Sequence, residues 1–138
     1  MLFARGSFAA FGVKMMMQFT RPTQEPDLEV ELTLFPTDQG GRKYALWQGC
    51  RIPHDFGLPD EMNDGMYEFI GQPPQPGETQ RAYVWLLAPE RNRGRIDVGF
   101  EYRIWESRFV GKGKVLRVIN RILRAEQGHA GDARNARA

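Results

Sequence analysis

The chain has 138 residues, with 19 Lys and Arg against 17 Asp and Glu and 41% apolar residues, the length of one ordinary domain. Aromatics at 12% suffice for one core, and a charged fraction of 26% excludes a disordered polyelectrolyte. A single cysteine, Cys50, excludes an internal disulfide framework and a cysteine-rich zinc site. No run reaches the roughly 18–20 apolar residues of a membrane-spanning helix.

The net charge of +2 conceals an asymmetry. Residues 1–90 hold 7 basic and 12 acidic side chains, whereas residues 91–138 hold 12 basic and 5 acidic. An Arg-rich half can gather phosphates, because each guanidinium offers a planar fork to an oxyanion. The competing and favoured reading is a surface whose opposite charges neutralise each other on folding.

Residues 1–26 read as a leader outside the fold. They contain no acid before Glu25, and the apolar stretch Phe8–Val13 stops at Lys14, too short for a signal peptide. The composition also suits a transit-like segment. The run Met15-Met16-Met17 favours a third reading, in which translation starts there. Pro22 and Pro26 keep Thr20 to Pro26 out of a helix.

Leu28, Val30, Leu32 and Leu34 then alternate with polar residues, which predicts a half-buried strand. It ends in the turn-rich run Pro36 to Gly41. Arg42–Cys50 is a second strand candidate, and Arg51–Gly65, with two Pro, two Gly and four acids, reads as a long irregular loop. Met66–Ile70 reads as a short strand and Gln72–Gly77 as a Pro-rich connector. Arg81–Leu87 is a strong strand with Tyr83, Trp85 and Leu87 on one face. Phe100–Trp105 and Phe109–Val118 complete the set, and Gly111 and Gly113 imply a bulge or a close backbone approach. Ile119–Glu126 has the spacing of a short basic helix, and Gly128–Ala138 has the composition of a disordered tail. Six short strands with almost no helix predict an all-β antiparallel barrel or sandwich.

Several phrases now fall into a known order: Gly40-Gly41-Arg42-Lys43, Gly49-x-Arg51-x-Pro53, Pro76-Gly77-Glu78, Phe100-Glu101-Tyr102-Arg103-Ile104 and Arg108-Phe109-Val110-Gly111-Lys112-Gly113. Over residues 27–119 the chain resembles domain III, the C-terminal β-barrel, of elongation factor Tu. The resemblance implies a six-stranded antiparallel barrel of the translation-factor C-terminal type. It also implies contact with the aminoacyl-tRNA T-stem or with a translation-related protein. It implies no GTP binding, since that lies in another domain of the factor and this chain has no G-x-x-x-x-G-K-[ST] loop. Carried over by position, Arg42 keeps the family's Arg, and Lys43 replaces its His with another phosphate-competent residue. Glu106 and Arg108 fit the closing hairpin, with Ser107 standing where two Gly would. The segment after Pro53 departs from the family and becomes the acidic His54–Glu61, which would repel phosphate.

Other chemistry carries less. Cys50, His54 and Asp55 suggest a nucleophile, base and orienting group, but no oxyanion-forming turn accompanies them. Asp55, Asp60, Glu61, Asp64 and Glu68 match no calcium-loop spacing. Of the aromatics, core packing is the default for Trp47, Tyr83, Trp85 and Phe100, while Tyr44, Tyr102 and Trp105 are candidates for exposure and base stacking. The expectation is a monomeric, cytoplasmic, non-enzymatic RNA-binding module without cofactor. Its contact set is Arg42, Lys43, Arg51, Glu106, Arg108, Lys112 and Lys114. The alternative is a protein–protein adaptor.

Overall fold

A computed structural model describes residues 19–125. The start at Met15–Met17 and the tail Gly128–Ala138 lie outside them. Six strands form: β1 Leu28–Leu34, β2 Arg51–Asp55, β3 Asn63–Phe69, β4 Thr79–Leu86, β5 Glu101–Trp105 and β6 Phe109–Val118. They close into an antiparallel barrel in the order β1-β4-β3-β2-β5-β6, so no sheet edge is left open. The fold is the all-β, six-stranded barrel expected from the strand pattern.

The barrel interior follows the period of two. Leu28, Val30, Leu32 and Leu34 of β1 meet Ala82, Val84 and Leu86 of β4 and Val115 and Val118 of β6 inside. Phe56, Ile96 and Leu123 join the same core from the connections. On β6, Gly111 and Gly113 are sites of close approach. A Cβ at Gly113 would collide with the Tyr102 ring, and one at Gly111 with the Thr33 carbonyl. The register shifts fall elsewhere, at Glu29/Val30 opposite β6 and at Ile104/Trp105.

Three expectations are corrected. Arg42–Cys50 is not a strand, because its backbone bonds leave the ladder. The Leu46 N–H donates to the Pro74 carbonyl and the Gly49 N–H to the Tyr67 carbonyl. Arg51–Gly65 is not one loop, since it contains β2 and the start of β3, paired from Arg51↔Met66 to His54↔Asn63. Pro53 is tolerated there, the β2–β5 ladder beginning only at His54. The basic helix expected over Ile119–Glu126 is reduced to a 3-10 turn at Arg121–Leu123. The Ile96 N–H binds the Leu123 carbonyl, and Ile96 bridges Arg124 in parallel, which draws the chain out of helical geometry. Asn120 caps the turn by accepting from the Ile122 N–H at 3.2 Å.

The described part of the leader lies against the barrel. Trp85 donates its indole N–H to the Gln24 carbonyl at 2.9 Å, and Arg21 pairs with Glu68. β4 accordingly turns Ala82, Val84 and Leu86 inward. Trp85 is buried on the outside beneath this segment, and Leu87 is exposed instead of sharing its face. Asp27 locks the junction: its carboxylate accepts from the Leu86 N–H at 2.7 Å and from the Asn120 amide at 2.9 Å.

Candidate binding surface

The sequence-derived contact set divides. Arg42, Glu106 and Arg108 are brought together, but their polar groups face one another and the backbone. Arg42 Nε donates to Glu106 at 2.8 Å, and its Nη1 donates to the Tyr44 carbonyl and the Ala45 carbonyl, the latter at 3.0 Å. The Arg42 side chain is only 14% exposed. Arg108 donates to the carbonyls of Gly40 and Gly41 at 2.7 and 3.0 Å. Ser107 adopts a left-handed φ of 67° at the hairpin tip, the conformation for which glycine is usually chosen. These three residues build the Gly40–Cys50 loop onto the β5–β6 hairpin.

The other four lie outward. Lys43, Arg51, Lys112 and Lys114 are exposed, and none of them forms an ion pair among the described residues. Lys114 sits between Glu31 of β1 and Glu101 of β5, so its field is partly cancelled by flanking carboxylates. Lys112 lies between Thr33 and Arg103. Arg51 stands at the start of β2 opposite Met66 of β3, outside the part of β2 that pairs with β5, which runs from His54 to Asp55.

The charge asymmetry along the chain resolves as cross-half ion pairs. Arg91 binds Glu61, Arg103 binds Asp55, and Arg117 binds Glu29, at 2.7, 3.1 and 3.1 Å. Residues 19–125 hold 15 basic and 15 acidic side chains, so the described body is neutral. Glu29 is clamped from both sides by Arg81 and Arg117. The Arg81 hydrogen bond holds its carboxyl below the usual range against the opposing effect of burial.

Aromatic side chains add a feature that sequence reasoning half found. Tyr44, one of three candidates for exposure, is 75% exposed, and Trp47 is 49% exposed although a core position was the default. The missed signal was local. Arg42 to Cys50 shows no alternation once Leu46 and Cys50 are taken as its inward residues, and Trp47 falls between them. Both aromatics stand on a loop fixed at many points. Arg42 stacks at 5.8 Å from the Trp47 ring, and Gln48 bonds both the N–H and the carbonyl of Phe69. Tyr102 is buried rather than exposed, and Trp105 is half-buried, edge-on to Phe109 at 5.0 Å.

Cys50, His54 and Asp55 do not form a reactive set. His54 points into the barrel and is fully buried, while Asp55 lies on the neighbouring outward position, bonded to Arg103. Burial pushes the Cys50 thiol up to about 12, so it stays protonated at neutral pH. Burial also holds His54 down to about 4. Both its ring nitrogens are occupied, Nδ1 by the Asn63 carbonyl at 2.9 Å and Nε2 by the Tyr67 hydroxyl at 2.7 Å. The Tyr67 hydroxyl in turn meets that of Tyr102 at 2.7 Å. The acids of the 55–64 segment are engaged with arginines or dispersed, and no metal-holding group of three His, Cys, Asp or Glu occurs among the described residues. No described helix is long and apolar enough to cross a membrane. Compared with known proteins, the chain matches no family model and no curated sequence.

Proposed function

We propose that this chain is a non-enzymatic binding domain, a barrel of the translation-factor C-terminal type, that holds RNA against the Gly40–Cys50 loop. One observation carries the reading: two exposed aromatics, Tyr44 and Trp47, stand beside the uncommitted Lys43 on a loop whose carbonyls Arg42 fixes. Aromatic faces stack on unpaired bases without sequence preference, and a neighbouring lysine meets the phosphate. A loop already held in one conformation loses little entropy on binding. The likeness to domain III of elongation factor Tu supports the same turn, since Arg42 and Lys43 occupy its tRNA-facing positions. The reading carries a monomeric, cytoplasmic role without GTP or other cofactor.

The test is anisotropy titration of labelled tRNA against the full chain. The one phosphate contact offered by Lys43 predicts a loss of roughly threefold between 50 and 200 mM salt. Tyr44→Ala with Trp47→Ala predicts a loss of at least about tenfold, from stacking worth about 1–3 kcal/mol per base. Unchanged affinity in that double variant refutes this surface. The neutral charge balance of residues 19–125 favours a second reading, a protein adaptor using the same loop. It predicts a captured protein that survives ribonuclease and responds little to salt.

A further inference from the structure

The outer face of the β3–β4 hairpin carries a second arrangement, independent of the loop surface. Glu68 and Tyr83 are register partners, as are Met66 and Trp85, so an acid and two aromatic rings stand side by side on one wall. Onto this wall folds the segment Phe19–Pro26, which has neither helix nor strand. Its Arg21 lies 5.5 Å from the centroids of both the Tyr83 and the Trp85 rings, and its Nε donates to Glu68 at 2.9 Å. Three residues further on, the Trp85 indole N–H holds the Gln24 carbonyl.

Each element recognises a different part of one ligand. The two rings take the face of a guanidinium, the carboxylate takes its N–H edge, and the indole fixes the main chain beyond it. None of the three requires that the arginine belong to the same chain. Arg21 is 52% exposed, so its ion pair with Glu68 is solvated and weak on its own, and the burial of Trp85 beneath the segment is what a displacing peptide has to reproduce. Pro22 and Pro26 keep the segment extended, the form in which a peptide lies across strands.

We infer that the wall formed by Glu68, Tyr83 and Trp85 is a docking site for an extended, arginine-bearing peptide of a partner protein, with residues 19–26 as its displaceable internal occupant. A tethered occupant competes at an effective concentration of order millimolar. A partner therefore displaces it only by adding contacts beyond the arginine, which makes the segment a built-in threshold for docking.

The test uses the full chain carrying Arg21→Ala, titrated with a capped Phe-Thr-Arg-Pro-Thr-Gln-Glu-Pro peptide while the Trp85 indole N–H is followed by NMR. The expected result is a saturable shift in the variant, at least fivefold weaker in the wild type, and absent when Glu68→Gln is added. Urea melts of both variants confirm that the barrel is intact, since both changes lie on the outer surface. Absence of a saturable shift at several millimolar peptide overturns the proposal, as does equal binding by a peptide with Ala in place of Arg. A concentration-dependent dimer of the wild-type chain that Arg21→Ala abolishes would assign the wall to exchange between copies, and overturns the foreign partner.

Discussion

The buried hydroxyls inside the barrel form a chain with a direction, and removing its members one at a time should expose that direction. The Asn63 carbonyl can only accept, so His54 Nδ1 carries the proton and Nε2 is bare. Nε2 must then accept from the Tyr67 O–H, which leaves the Tyr67 oxygen to accept from the Tyr102 O–H. Tyr67→Phe keeps the ring but strands two buried groups, the His54 acceptor and the Tyr102 donor. At about 1–3 kcal/mol for each unsatisfied group the cost is about 2–6 kcal/mol, a large part of a stability of about 5–15 kcal/mol. Tyr102→Phe removes only the terminal donor and costs about 1 kcal/mol, since Tyr67 still donates to His54. The double variant strands the His54 acceptor alone and is more stable than Tyr67→Phe by itself. Urea unfolding at pH 7.5 with matched m-values reads all three. Equal losses for the two single variants, or strict additivity in the double, would refute the directional chain.

Two further outcomes follow from the same interior. Burial lowers the His54 pKa from 6.5 to about 4, so below pH 6.5 the unfolded chain binds a proton that the folded chain refuses. Stability is therefore full above about pH 6.5 and falls by about 3 kcal/mol as pH drops to 4. Urea melts across that range should show the slope, and His54→Gln should flatten it. Gly113→Ala drives a methyl into the Tyr102 ring and should cost about 1–3 kcal/mol; a wild-type melting midpoint would show that the approach is looser than described.

What was legible depended on which force decided each segment. β1, β4 and β6 are long and bury one face, so period two survives in Leu28–Leu34 and in Gly111, Gly113 and Val115, and the register shift opposite Glu29/Val30 breaks it before Val118. β2 and the start of β3 were hidden because Pro53, Asn63, Asp64 and Gly65 are the residues of turns. There a tertiary demand overrides propensity: Gly65 has no side chain because the His54 ring lies where its Cβ would stand. Arg42–Cys50 failed in the opposite sense. Its Tyr44 and Trp47 look like strand residues, yet a side chain from the loop's own start, Arg42, satisfies carbonyls that a ladder would otherwise take. The cation set was legible as residue types but not as roles, because whether an arginine is free depends on carboxylates and carbonyls distant in sequence.

That separation of roles bears on any reading that begins from the likeness to a translation-factor barrel. Arg42 within the Gly40–Cys50 loop and Arg108 from the β5–β6 hairpin have their donors turned onto main-chain carbonyls and, for Arg42, onto Glu106. A guanidinium so occupied would have to surrender those bonds to meet a phosphate, and each surrendered carbonyl would loosen the loop that presents the aromatics. On the proposed reading, recognition on this surface therefore falls to the side chains of Lys43, Tyr44 and Trp47, which lose no internal hydrogen bond when a partner arrives. Removing Arg42 would weaken binding only together with stability, whereas changing the exposed trio would weaken binding with the fold intact. On the proposed reading Arg42 is thus the frame of the site, and its exposed neighbours are the contact.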